Sequence, residues 1–267
     1  MRRFRICFGF ASVAIALYFG GCQQSSDDAL EELSDHRYPV ESSAPSIRVT
    51  NRDGSISIYG TGGDIREVRV EMVKKAYTPE RLKAISTRVV AEGNSISVET
   101  VYPSDSGRIF SDRSGTVDYV IIVPEATTIS KLELTNGEIL IQEVRGKEAR
   151  AQLGSGRLFI HNCFGSIDAH VKTGNLALVY EWWEQNNDFS IRAGVDDGNA
   201  FAYLPEEATF HLVANTGTGK IANDFQEKEQ RHTEYTNHVD LLVGGAAKPT
   251  IEMEARDGNV RIAEHNP

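Results

Sequence analysis

Hydrophobic and polar residues alternate along short segments of the chain, and each segment begins at a glycine. In the stretch TNGEILIQEVRG, Thr135 to Gly146, Ile139 and Ile141 fall on one side of an extended strand and the residues between them fall on the other. A single strand of this kind has one apolar side and nothing of its own to bury it on. The pattern therefore predicts that similar strands stack on one another.

The same pattern recurs along most of the chain. Its glycines are Gly54, Gly93, Gly115, Gly137, Gly156, Gly174, Gly198, Gly219 and Gly258. From Gly93 onward the spacings are 22, 22, 19, 18, 24, 21 and 39 residues, and the gap from Gly54 to Gly93 is also 39. The two long gaps are about twice the unit, and a weak repeat, TNHVDLLV at residues 236–243, falls in the second. A period of roughly 20 residues built on extended segments is typical of a solenoid.

The sequence therefore predicts an all-β fold, a β-solenoid over residues 45–264. Two residues of each repeat should point inward. These residues are Ile56 and Ile58, Val117 and Tyr119, Ile139 and Ile141, Leu158 and Ile160, Leu176 and Leu178, Ala200 and Ala202, and Val260 and Ile262. An antiparallel meander or sandwich is the alternative, because Asn-Gly and Asp-Gly pairs also form hairpins. Hairpin repeats of about 8 to 12 residues would be shorter than those seen here.

Acidic and amide residues precede several of the repeat glycines. The pairs are Asn136-Gly137, Asp53-Gly54, Asp197-Gly198 and Asp257-Gly258. Asn and Asp tolerate left-handed backbone geometry and glycine adopts it without steric cost, so these pairs are expected to form corners. Backbone chemistry explains the acids here, and no catalytic role is needed.

One interruption of the repeat predicts a short helix near residues 78–90. Thr78 is a suitable N-cap, Pro79 suits the first helical position, and the following apolar residues are spaced for one helical face. An uncovered end of a solenoid exposes an unpaired strand edge. We expect this excursion to cover the first end of the stack.

A second interruption, VYEWWEQNNDF at residues 179–189, carries adjacent tryptophans. Neighbouring residues of a strand point to opposite faces, so one of Trp182 and Trp183 should be exposed unless the segment folds over. An exposed indole beside acids and amides can stack on a sugar ring, which makes both residues candidate ligand contacts. The alternative is a bulky loop that packs against the side of the solenoid.

Composition and charge exclude some classes of partner. The chain has 267 residues and a formal net charge of −10. From residue 22 onward, 25 Lys and Arg residues stand against 38 Asp and Glu residues, a net charge of −13. Such a surface repels phosphate backbones, so nucleic acid is not an expected partner.

The N-terminus has the layout of a secretory signal peptide. Residues 1–21 combine a basic start, a short apolar run and small residues before Cys22. The segment Phe19-Gly20-Gly21-Cys22 resembles the bacterial lipobox, in which the cysteine receives a diacylglycerol, although Phe19 replaces the usual leucine. The resemblance implies lipid attachment at Cys22. An ordinary signal peptide and an uncleaved membrane helix are the alternatives.

The segment after Cys22 predicts a tether. Residues 22–44 are polar, rich in Ser, Asp and Glu, and short of the apolar groups that a folded unit needs. After cleavage only Cys22 and Cys163 remain, which is too few for a disulfide framework. Cys163 follows an apolar strand and is expected to be a buried small hydrophobe.

The repeats resemble a known group of proteins. Segments such as TNGEILI, LGSGRLFI, VKTGNLAL, NTGTGKIA and ARDGNVRI are similar to the bacterial β-strand-repeat domains named putative adhesins, of the head-GIN type. The resemblance covers roughly residues 45–264. It implies a solenoid-like fold outside a cell membrane, often in lipoproteins, and it brings no catalytic residues.

These observations favour a non-enzymatic, lipid-anchored protein of the cell envelope that presents a binding or structural surface. Its expected partners are the membrane, through the anchor, and a protein or polysaccharide. Gln23 stands where an aspartate often retains lipoproteins at an inner membrane, which by the same resemblance favours the outer membrane where there is one. The histidines show no recognised metal spacing, and no cofactor is expected.

Two alternatives are kept. The first is a polysaccharide lyase or glycosidase on a β-helix, which needs convergent carboxylates. The acids nominated for it are Asp168, Asp188, Asp196 and Asp197. The second is an envelope signalling or stress-associated interaction module, which the sequence does not separate from the favoured function.

Overall fold

The computed structural model describes residues 29–103, 114–184, 188–225 and 237–265, and most of this part of the chain is strand. The strands are β1 (Leu30–Pro39), β2 (Ser46–Thr61), β3 (Glu67–Ala76), β4 (Ser86–Glu92), β5 (Ser95–Val101), β6 (Thr116–Pro124), β7 (Thr128–Gln142), β8 (Glu148–His161), β9 (Ser166–Val179), β10 (Ser190–Pro205), β11 (Phe210–Thr216), β12 (Ile221–Asn223), β13 (His238–Val243), β14 (Thr250–Asp257) and β15 (Val260–His265). The helix α1 is Pro79–Ala84, and the strands form one 15-stranded sheet.

Each central repeat is one long strand that bends at its glycine. We call the part before the glycine the first limb, the part after it the second limb, and the whole repeat a rung. Neighbouring rungs pair in parallel and in register, so that Gly54, Gly137, Gly156, Gly174 and Gly198 lie opposite one another in turn. This pairing confirms the predicted β-solenoid and excludes an antiparallel meander for these rungs.

The core lies in the angle between the two limbs. All of the residues predicted to point inward from the second limbs are at most 1% exposed. The first limbs add their own inward residues, among them Leu132, Leu134, Ala151, Leu153 and Val171. One continuous hydrophobic core therefore runs along the whole stack.

Rung order and chain order differ at both ends of the stack. Along the axis the rungs are β5 with β6, then β2, β7, β8, β9 and β10, then β14 with β15, and finally β11 with β12. The first repeat of the sequence is therefore the second rung. The last repeat inserts between β10 and the end rung.

Antiparallel strands close both ends. At the first end β6 pairs with β3 and β3 with β1, while β5 pairs with β4. At the second end β13 pairs with β11. The first 39-residue gap contains β3, α1 and β4. The second contains β13, so the weak repeat at residues 236–243 includes an antiparallel edge strand instead of a stacked rung.

The predicted helix is present at the first end, and it is shorter than the predicted span. Thr78 caps α1 by accepting a hydrogen bond from the Arg81 amide at 3.2 Å, and Pro79 begins the helix. The Arg81 guanidinium donates to the carbonyl of Ser114 at 2.6 Å, which ties α1 to the start of β6. Residues 86–92 are not helical, because their backbone pairs with β5.

The tether prediction for residues 22–44 is wrong for Leu30–Pro39, which form β1. No residue of β1 is buried. The strand is held by backbone pairing with β3 and by ion pairs such as Asp35–Arg69 at 2.9 Å and Glu32–Lys74 at 2.8 Å. An edge strand needs backbone hydrogen bonds but does not need an apolar side. The polar composition of β1 therefore resembles that of a tether.

The corner glycines contact one another along the axis. At Gly156 the backbone φ is +134°, and a Cβ built there would lie 1.8 Å from the carbonyl oxygen of Gly137 in the preceding rung. Both the bend and the rung spacing of about 4.8 Å therefore require glycine at this position.

The Gly156→Ala substitution should lower the free energy of unfolding by about 3 kcal/mol or more, through backbone strain together with the clash against Gly137. Gly62→Ala is the matched control, because its Cβ would lie 3.6 Å from the nearest atom, a side-chain oxygen of Glu125. Its effect should stay within about 0.5 kcal/mol. Urea unfolding measures both, and equal effects would contradict the role of the glycine stack.

Raising NaCl from about 0.01 M to about 1 M shortens the Debye length from roughly 30 Å to roughly 3 Å. Because exposed ion pairs help to hold β1, its amides should then exchange with deuterium faster, whereas those of β8 and β9 should not change. Hydrogen exchange read by mass spectrometry tests this. Unchanged exchange in β1 would show that backbone pairing alone holds the strand.

Candidate binding surface

The outward sides of the two limbs differ in chemistry. The first-limb side is polar and charged, and its outward residues include Lys131, Glu133, Arg150, Asp168, His170, Arg192, Glu252 and Glu254. Several of these residues form ion pairs with one another, such as Arg192 with Glu252 at 3.0 Å. The second-limb side carries rows of apolar and aromatic residues instead.

We define the second-limb face by two rows of outward residues that run along the axis. The middle row lies three positions after each corner glycine and consists of Ser57, Leu140, Phe159, Ala177, Phe201 and Arg261. The outer row lies five positions after the glycine and consists of Tyr59, Gln142, His161, Val179 and Tyr203. Phe159 is 39% exposed, and the Phe201 and Tyr203 rings stack with centroids 6.3 Å apart.

A polar row borders this face on the side of the glycine corner. Arg157 donates to Glu138 at 3.1 Å across neighbouring rungs. Three asparagines continue the row, since both the backbone and the side-chain amide of Asn199 donate to Asn175, at 3.3 and 3.4 Å, and those of Asn259 donate to Asn199, each at 3.1 Å. The rim is therefore an ordered ladder of hydrogen-bonding groups.

The face and its rim enclose a shallow depression of about 520 Å³, a volume within the range of small-molecule sites. It is lined by Ser55, Ser57, Glu138, Ile139, Leu140, Gln142, Arg157, Leu158, Phe159, Asn175 and Ala177. Among the described residues, the Ser57 hydroxyl and the Gln142 amide have no hydrogen-bond partner, so both are available to a ligand.

The second-limb face is not among the sites predicted from the sequence. The signal was present, because the third residue after the glycine is Leu, Phe, Ala and Phe in four consecutive repeats. A strand with one solvated side would carry polar residues there. Apolar residues on both sides of these strands are the feature that could have identified the surface.

The two tryptophans occupy different environments. Trp183 is 8% exposed, and its indole N–H donates to the carbonyl of Thr209 at 3.0 Å. It packs against Tyr180, Phe189 and Phe210. The segment therefore folds over the solenoid here and uses Trp183 as a packing residue.

Trp182 lies at the edge of the same aromatic cluster. It is 36% exposed, and its ring centroid is 5.8 Å from that of Phe164. The neighbouring Glu181 lies 3.4 Å from His161 of the outer row. Trp182 is thus placed beside the second-limb face, and its role as a ligand contact stays a prediction.

Cys163 is buried next to this aromatic cluster, as the sequence predicted. Its carbonyl accepts a hydrogen bond from the Tyr180 hydroxyl at 2.7 Å. Burial raises the pKa of the Cys163 thiol to about 12 and that of Tyr180 well above its usual value. The thiol is therefore protonated at neutral pH and has no thiolate to offer as a nucleophile.

Of the acids nominated for a glycosidase, Asp168 and Asp196 lie too far apart to form a catalytic pair, and Asp197 lies at the corner before Gly198. Asp196 is paired with Arg256 at 3.0 Å and lies 3.4 Å from His170, and Asp188 is paired with Lys248 at 2.8 Å. Asp168 of β9 lies opposite Arg192 of β10, and Arg192 precedes Asp196 by four residues. At about 3.3 Å per residue that offset is about 13 Å, beyond the separation that carboxylates need in hydrolysis.

Some features of the sequence lie outside the described residues. Cys22, the predicted lipid attachment site, is among them, as is the signal segment 1–21. In the ranges that the structure does describe, no group of His, Cys, Asp and Glu has the arrangement of a metal site. Within those same ranges, no helix has the length and apolar character needed to cross a membrane.

Comparison with known proteins identifies the repeat. The family model of Toastrack DUF4097 matches residues 38–263. A solved structure of a putative cell adhesion protein from Clostridium sporogenes covers 88% of this chain and all of that one, with 16% sequence identity and a TM-score of 0.52. That likeness shows the fold.

A putative adhesin from Bacteroides fragilis gives a weaker likeness, with 14% identity, a TM-score of 0.30 and coverage of 88% of this chain and 97% of that one. The comparison with curated proteins finds no match.

Truncating each tryptophan should separate their roles. Trp183→Ala should lower the free energy of unfolding by about 3 to 5 kcal/mol, since it removes a buried ring and a hydrogen bond. Trp182→Ala should cost about 1 kcal/mol or less because its ring is partly exposed. Urea unfolding measures both, and a larger loss for Trp182 would contradict the packing described above.

Proposed function

The chain belongs to the Toastrack DUF4097 family, and from its repeat fold and the surface described above we propose that it is a non-enzymatic, adhesin-like protein of the cell envelope. It is anchored by a lipid at Cys22 and uses the second-limb face to bind a partner. The head-GIN-like subtype and an outer-membrane location, where such a membrane exists, belong to the same proposal.

The second-limb face is the observation that carries this proposal. Outward residues of an exposed sheet in a monomer are ordinarily polar, as they are on the first-limb side. Here aromatic and aliphatic side chains continue over consecutive rungs and are bordered by a polar row. An apolar patch rimmed by polar residues is typical of an interaction site.

The anchor hypothesis is supported by the position of β1, the first strand that the structure describes. Cys22 precedes β1 by only a few residues, so a lipid there would hold the first end of the solenoid close to the membrane. The stack would then project away from the surface, with the second-limb face along its side. This arrangement leaves the face accessible to a partner in the envelope or on another surface.

The positions and partners of the acidic residues and of Cys163 support a non-enzymatic role. The acids that precede the glycines lie at corners, and Asp188 and Asp196 are engaged in ion pairs. The buried thiol of Cys163 is protonated. A binding surface without catalytic activity is therefore sufficient to explain the arrangement of these residues.

The Cys22→Ala variant should lose membrane association. Wild-type protein from native membranes should have the mass of a chain that starts at residue 22 and carries acyl groups. The variant should partition into the aqueous phase of a detergent separation and lack the acyl mass. A wild-type protein without acyl groups would contradict the anchor.

The assay measures binding to envelopes isolated from the source organism and uses the chain from residue 22 onward with Cys22→Ala. In this protein Phe159→Ser should weaken binding by about tenfold, the equivalent of about 1.4 kcal/mol. Stability should change little because Phe159 is partly exposed. Tyr77→Ser is the matched control, since Tyr77 is 67% exposed and lies next to α1. Equal binding by wild type and both variants would contradict the role of the face.

A further inference from the structure

We infer that the ligand of the second-limb face is a neutral, linear glycan that lies along the solenoid axis and crosses successive rungs. The inference rests on the proposed function, because it names the ligand class of the same surface. It is argued from the spacing of the aromatic rings, the free polar groups, the size of the face and the charge of the protein.

The aromatic rings have the spacing of a repeating ligand. Phe159 and Phe201 occupy the same position in rungs that are separated by one other rung, so they lie about 9.6 Å apart along the axis. Ala177 stands between them and leaves room above the sheet. Two sugar rings of one extended chain, separated by a third ring, can place their C–H faces on the two phenyl rings, whose electron-rich faces attract polarised C–H groups.

The polar groups around these rings suit hydroxyl groups. Within the described part of the chain, the Ser57 hydroxyl and the Gln142 amide have no hydrogen-bond partner, and the side-chain NH₂ of Asn175 has no acceptor. Sugar hydroxyls both donate and accept hydrogen bonds, and amide and hydroxyl side chains do the same. The apolar residues of the middle row thus supply the apolar contact, and Ser57 at the end of that row, Gln142 of the outer row and Asn175 of the rim supply the hydrogen bonds.

The size of the face argues against a stably bound protein. From Ser57 to Arg261 it crosses six rungs. At about 4.8 Å per rung and about 3.3 Å per residue it measures about 29 by 13 Å, or roughly 380 Å². A stable protein interface buries about 800 Å² on each partner. A narrow, elongated ligand therefore fits the face better than a second copy of this chain.

The charge of the protein argues for a neutral ligand. The chain after residue 21 carries a net charge of −13, and Glu138 and Glu181 border the face. Acidic polysaccharides and anionic lipid surfaces are repelled by such a protein. Within the rim the Arg157 charge is balanced by Glu138, and Arg261 of the middle row is paired with Asp224 at 3.4 Å, so the face offers no net positive charge to an acid.

Calorimetric titration with neutral linear hexasaccharides tests the inference directly. The probes are the hexaoses of cellulose, xylan, mannan and amylose, with an oligogalacturonate as the acidic comparator. The protein is the chain from residue 22 onward with Cys22→Ala. At least one neutral hexaose should bind and the oligogalacturonate should not. Phe159→Ala and Phe201→Ala should each weaken binding by about tenfold, and Tyr77→Ala should leave it unchanged.

Two results would overturn the inference: no neutral hexaose binds, or one binds equally well to the wild type and to both phenylalanine variants. Repeating the envelope-binding assay after periodate oxidation, which destroys sugar diols, separates this failure from that of the proposed function. Loss of wild-type binding supports the glycan. Binding that survives periodate but still depends on Phe159 overturns the glycan and leaves the proposed function standing.

Discussion

The contact of one corner glycine with the next is the constraint on which the rest of this structure depends. Each glycine bends its strand at a positive φ, and the carbonyl oxygen of the preceding rung occupies the space where a side chain would begin. Any other residue would have to move the rungs apart or straighten the strand. The bend creates two limbs with a core between them, and the close contact fixes the parallel register of the rungs.

That register determines the surface as well as the core. Because Gly137, Gly156, Gly174 and Gly198 are aligned, residues at equal distances from them form straight rows along the axis. Inward rows make a continuous core, and outward rows make a face whose chemistry repeats with the rung spacing. A ligand with its own linear repeat can be matched by such a face, whereas the charged first-limb side is satisfied by its own ion pairs.

Much of this fold could be predicted from the sequence, because glycine spacing and alternation report directly on strand bends and buried positions. The inward pairs, from Ile56 and Ile58 to Val260 and Ile262, were all identified. The order of the rungs could not be predicted, since a repeat motif does not encode which neighbour it stacks on. Strand β1 was missed for a related reason, because edge pairing through backbone hydrogen bonds and ion pairs leaves no hydrophobic pattern.

The candidate site was only partly predictable. Alternation along a strand assigns one set of apolar residues to the interior and does not mark Phe159 and Phe201, which belong to the outward set. Both tryptophans are candidate ligand contacts by residue type. In the structure, however, Trp183 is a packing residue, and of the two only Trp182 is partly exposed. Which outward residues form one surface depends on the register between rungs, and a single repeat does not reveal it.

Hydroxyl-radical footprinting of the protein bound to isolated envelopes tests the central claim most directly, since it reports which side chains a partner covers. The account predicts that binding protects Phe159, His161, Phe201 and Tyr203 from oxidation and leaves Tyr77 and Leu242 as reactive as in the free protein. Protection of residues on the first-limb side or on the edge strands, with the second-limb face still oxidised, would contradict it.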